Sequence, residues 1–136
     1  MKGLQVLQNR AARCVTRMNW FTPTRKLLNQ CNWLSIKQLI FYHTVLTAFK
    51  VLASQKPLYL CSRLDRGFPY RTRLASNGAL RYNESQGNDS SLTYKSFINR
   101  AIRDYNRIPT ELKTMKTLKT FKKKLKLWIR SNIPID

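Results

Sequence analysis

Carboxylates are scarce in this sequence. Six Asp and Glu stand against 26 Lys and Arg in 136 residues, for a net charge of +20. The six are Asp65, Glu84, Asp89, Asp104, Glu111 and Asp136. No two lie within four residues of one another, and none falls in residues 1–64, where ten basic residues stand alone. Polymerase and nuclease sites need clustered carboxylates to hold divalent metal. The chain alone is therefore expected to carry no catalytic residues, no metal and no cofactor. Gly-rich phosphate loops of the Walker or Rossmann kind are also missing. Cysteine is scarce and scattered: Cys14, Cys31 and Cys61 form no Cys-x-x-Cys pair, and His43 is the one histidine. These cannot assemble a zinc site, and the simple expectation is reduced thiols in an intracellular protein. A general base at His43, paired with Cys14 or Cys31, is conceivable, but a buried structural histidine and cysteines that fill the core are expected. Long apolar runs are lacking too. The most apolar stretch, residues 39–53, carries His43 and Lys50 and falls short of the roughly 20 clean residues a spanning helix needs. A buried helix is expected there, with no membrane span and no signal peptide.

Gly and Pro number only four and five, which favours helices over a many-turned β fold. A hydrophobic fraction of 43%, including fifteen aromatics, suffices for a modest core. The expected fold is all-α, with about five helices in two helical parts, residues 1–64 and 93–136, joined by a basic irregular loop at 65–92. In residues 4–18, Leu4, Leu7, Ala11, Cys14, Val15 and Met18 recur at three- and four-residue steps, and Arg10, Arg13 and Arg17 fall on another face. One side should pack and the other stay cationic. Pro23 should open a short second helix. Ser35 should cap a third, to about residue 54, apolar nearly all round and hence central. A short turn of helix follows Pro57. The loop, long for a compact domain, has room for a short strand at residues 79–82. Residues 92–107 form the next helix, with Tyr94, Phe97, Ile98, Ala101, Ile102 and Tyr105 on its apolar side. Thr117 should cap the last helix, with Leu118, Phe121, Leu125, Trp128 and Ile129 inward. Trp20, Trp33 and Trp128 are expected in the core.

The basic residues fall in rows. Lys116, Lys119, Lys123, Lys126 and Arg130 repeat at three and four. Arg10, Arg13 and Arg17 form a second row, and Arg100, Arg103 and Arg107 a third. Solvated helix faces normally mix both signs; here the acids are nearly missing. Such an excess calls for a polyanionic partner, and rows of cations opposite apolar faces suit a phosphate backbone. RNA or DNA is the expected partner, held by charge neutralisation with little sequence reading. Within the loop, Arg66, Tyr70, Arg71, Arg73, Arg81 and Tyr82 could pair with phosphates and stack on bases, or serve as a mere connector.

Several segments, in order, resemble a family. LQNRAARCVT, TPTRKLL, WLSIKQLIFYHTVLTAFKVL and PLYL, then YRTR, YNRIPTELK and TLKTFKKKLKLWI, are similar to the region that follows the polymerase in LINE (non-LTR) retrotransposons of the jockey-like and related groups. The likeness covers roughly residues 4–130. It implies a parent RNA-directed DNA polymerase, often with an upstream endonuclease, and it implies the polymerase domain of the same parent chain as a partner. The family's metal-binding Asp-Asp motif lies upstream and has no counterpart here. By analogy with a thumb, the tail would grip template RNA or primer duplex. Two positions depart from the pattern: Tyr105 stands where the family has Trp, and Phe49 where it often has Tyr. Two rivals stay open beside this reading. One is a basic amphipathic module for a membrane surface or a protein partner; the other is a functionless remnant of a dead element.

Overall fold

The computed structural model describes residues 2–64, 73–81 and 96–135. Every regular element among them is a helix: α1 (Lys2–Thr16), α2 (Thr24–Gln30), α3 (Ile36–Ser54), α4 (Leu58–Arg63), α5 (Arg73–Ser76), α6 (Phe97–Arg107), α7 (Thr110–Lys113) and α8 (Leu118–Asn132). The all-α expectation holds. Two one-turn helices, α5 and α7, were not legible as periodicity because four residues carry no period. Residues 79–81 form no strand. They are buried at Ala79 and Leu80 and clamped by a side chain. Asn106 Oδ1 accepts from the Leu80 N–H at 2.8 Å, and its Nδ2 donates to the Leu80 carbonyl at 2.9 Å. Of the expected loop and the start of the helix after it, residues 65–72 and 82–95 lie outside the described residues, and so do Arg66, Tyr70, Arg71, Tyr82 and Tyr94.

Two compact units divide the chain: Met1–Tyr42 with Lys126–Asp136, and His43–Leu125. This division differs from the sequential parts at 1–64 and 93–136. Contacts remote in sequence set it. In the first unit the chain end returns to the N-terminal segment. Gln38 Nε2 donates to the Ile133 carbonyl at 2.7 Å, Arg130 Nη2 donates to the Asn32 carbonyl at 2.7 Å, and Trp128 stacks on Phe41 with ring centroids 5.9 Å apart. Ser35 and Gln38 also cap α3 reciprocally. The Ser35 N–H donates to Gln38 Oε1 at 3.0 Å and the Gln38 N–H to Ser35 Oγ at 3.3 Å, a capping box that satisfies two otherwise orphaned donors. Helix α2 ends in a Schellman turn. Asn32 takes the left-handed conformation (φ 58°), and the Trp33 and Asn32 N–H groups donate back to the Leu28 and Asn29 carbonyls at 2.9 and 3.1 Å. Asn tolerates this conformation better than most residues.

The second unit has its own core. Phe49 and Phe121 stack with centroids 3.9 Å apart, and Val45, Ala48, Ala101, Ile102, Tyr105, Ile108 and Leu125 are buried. Ser96 caps α6, accepting from the Asn99 N–H at 3.5 Å. Thr117 stands just before α8 as expected, but its hydroxyl donates to Thr120 Oγ1 at 2.8 Å.

Four local expectations are corrected. His43 is exposed, not buried; it shares an outer strip with exposed Lys50, one heptad on. Cys14 is exposed and fills no core. Trp20 and Trp33 are exposed, and only Trp128 of the three tryptophans is half-buried. The fourth is α1, whose apolar side faces solvent.

Candidate nucleic-acid interface

Helix α8 positions the strongest row. Phe121, Leu125 and Ile129 are fully buried and fix one side of the helix. At about 100° per residue, the strip of the helix opposite them points outward. Lys119, Lys123, Lys126 and Arg130 are all exposed and fall within an arc of about 60°. Successive charges rise about 4.5–6 Å along the axis. Lys116, just before the helix, is exposed as well. The helix carries no acidic residue, so nothing on it offsets the row. Lys122 and Lys124, also exposed, thicken the positive surface; the run Lys122-Lys123-Lys124 announces them, but the row pattern passes them over. Arg130 is held in place by its bond to the Asn32 carbonyl. Within the first unit, Lys126 lines a cleft of about 290 Å³ together with Trp33, Tyr42, Gln8, Asn32, Leu34 and Leu39. Burial pushes the Tyr42 phenol above its ordinary pKa.

The other two rows differ in kind. On α6, Arg100 and Arg103 are half-buried and Arg107 is exposed, and all three act on Asp104. Burial is the larger influence and pushes the Asp104 carboxyl above the usual range; Arg107, Arg103 and Arg100 pull it back down. Arg103 Nε also donates to the Asn99 carbonyl at 3.4 Å. This row is thus partly spent on an internal acid. On α1 the row breaks up. Arg13 folds against Trp20, its guanidinium carbon 4.9 Å from the ring centroid, with Nη2 near the Thr22 carbonyl at 3.5 Å. Its Nε is buried with no partner among the described residues. Arg10 and Arg17 are exposed, but Arg17 lies past the helix end in the left-handed conformation (φ 52°). Of the loop cations, Arg73 and Arg81 are exposed, and Arg71 lies outside the described residues.

Among the described residues no three His, Cys, Asp or Glu side chains converge on a point where a metal could sit. Among them, too, no helix is long and apolar enough to cross a membrane. No protein-family model matches the chain, and no curated protein or solved structure matches it either.

Proposed function

We propose that the chain binds RNA or DNA through phosphate contacts along α8, as the C-terminal tail of a LINE-type reverse transcriptase working inside the cell. The observation that carries this is the α8 row: four exposed cations on one strip of a helix anchored by Phe121, Leu125 and Ile129, with no carboxylate on that helix to neutralise them. An anchored helix loses little further entropy when its cations meet phosphates, and the counterions released on contact drive binding. The Arg100, Arg103 and Arg107 group supplies a weaker second contact, because Asp104 offsets part of its charge. Exposed Arg10, Arg17 and Arg73 add to the general attraction. An unstacked base beside the bound strand would meet Trp33 and Tyr42 in the cleft that Lys126 lines. No catalytic step is assigned to the chain; the polymerase chemistry would belong to the upstream part of the parent protein.

The test is a salt series. Titration with duplex DNA should show log affinity falling steeply with log salt, with a slope of about −5 if roughly six phosphates are neutralised. Replacing Lys116, Lys119, Lys123, Lys126 and Arg130 with Gln should weaken binding to all sequences alike and make the slope shallower by up to about 4.5. A flat salt response, or a loss confined to one sequence, overturns the reading.

A further inference from the structure

Helix α1 is amphipathic in reverse. The side that packs within its unit is polar. Gln5 Oε1 accepts from the Ile36 N–H at 3.0 Å, Gln8 Nε2 donates to the Leu34 carbonyl at 2.8 Å, and Asn9 Nδ2 donates to Thr24 Oγ1 at 2.8 Å. Ala12, between them, is fully buried. The apolar side is left in solvent: Leu4 is 58% exposed, Leu7 59% and Val15 66%, and Ala11 and Cys14 are exposed with them. Monomeric proteins seldom leave a contiguous apolar patch open without a use for it.

We propose that this side of α1 is a docking seam for an amphipathic helix of another protein, one whose apolar stripe is flanked by Asp and Glu. Leu4 and Ala11 occupy the a positions of a heptad, and Leu7 and Cys14 the d positions. The a/d repeat is that of a two-helix pairing, with Val15 at an e position beside it. Ala11 and Cys14 are small, so a partner backbone can come close at the middle. In this register Arg10 and Arg17 fall at the g positions, where charge chooses the partner through interhelical ion pairs. Both are exposed. Residues 1–64 hold no Asp or Glu, so carboxylates must come from the partner. A second copy of this chain would set arginine against arginine within a molecule of net charge +20. The small centre at Ala11 and Cys14 suits a closely approaching helix more than an anionic bilayer, which would rest on bulky anchors along the whole face.

The experiment uses the full chain and a synthetic helical peptide with Leu at a and d and Glu at e and g. One control peptide carries Lys at e and g; another is equally acidic but lacks the Leu stripe. The Glu-flanked Leu peptide should bind about tenfold or more tightly than either control, and the double variant Leu4→Gln/Leu7→Gln should lose about tenfold or more of that affinity. Arg10→Gln should cost a smaller, salt-dependent part. Leu4→Gln/Leu7→Gln should keep the helix content, the cooperative unfolding and the DNA affinity of the parent chain. Four outcomes overturn the proposal. The stripeless acidic peptide could bind equally well. The chain could dimerise in sedimentation through Leu4 and Leu7. Vesicles containing phosphatidylserine could bind in preference to the peptide, again through those leucines. Or the double variant could unfold, which would make the seam part of the core.

Discussion

Helices α1 and α8 are each 15 residues long, each basic, each with apolar residues at three- and four-residue steps. Read locally they are the same object, yet they orient oppositely. In α8 the apolar side is buried and the lysines face out. In α1 the Leu4, Leu7 and Val15 side faces out, and Gln5, Gln8 and Asn9 turn in. The composition of the polar sides explains what is possible. Turning α8 over would bury lysine ammonium groups, each at a heavy desolvation cost. The inner side of α1 carries amides, Ala12 and Thr16, which can be buried if their hydrogen bonds are met. Leu34, Ile36 and Thr24 meet them. Leaving a Leu or Val exposed still forfeits about 1.5–3 kcal/mol per side chain, whereas a typical hydrogen bond returns about 1 kcal/mol. Within its unit the orientation of α1 is therefore poorly rewarded, and a covering partner would restore the difference.

Truncating one residue in each helix separates the two most sharply. Phe121→Ala should destabilise the chain by about 3–5 kcal/mol, since it removes a fully buried ring stacked on Phe49. Leu7→Ala should stay within about 0.5 kcal/mol, as surface changes do. Denaturant unfolding of both variants reads this directly, and a large loss at Leu7 would mean that the seam is core.

The next effect in size lies at the joint between α3 and the chain end. Gln38→Ala removes both the capping bond to the Ser35 N–H and the bond to the Ile133 carbonyl, leaving buried groups unpaired. A loss of about 1–3 kcal/mol is expected. Gln38→Glu keeps the cap acceptor but not the Nε2 donor, so comparing the two variants in thermal melts separates the contributions.

The smallest effect concerns the α6 row. The folded Asp104 carboxyl has a raised pKa, so between its unfolded and folded values the native state holds the proton more firmly. Asp104 therefore subtracts stability above its folded pKa, and the subtraction fades as pH falls to the unfolded value. Asp104→Asn should leave stability at neutral pH unchanged or slightly higher, with a flatter pH profile in the acid range. It should also free Arg100, Arg103 and Arg107, and so raise DNA affinity modestly at low salt. A variant that loses stability at neutral pH would show that the three arginines need the carboxylate more than burial disfavours it.

Periodicity and capping chemistry made most of the helices legible. The ends of α2, α3 and α8 fall close to where Pro23, Ser35, Pro57, Thr117 and Pro134 place them, because these residues act through their own backbone and near neighbours. The α8 row was legible for the same reason: strong apolar anchors and lysines that resist burial leave only one orientation. The cleft beside Lys126, the Asn106 clamp on Leu80 and the bond from Gln38 to Ile133 were not legible, since each joins residues far apart in the chain.

What the amino-acid sequence determined by itself is the helical class, most element boundaries, and a net charge of +20. These follow from short-range sterics, hydrogen bonding and composition. Only the tertiary structure decided which side of α1 faces inward and that Arg13 covers Trp20. Those outcomes depend on which polar groups found partners across the fold, and a periodic pattern does not record that.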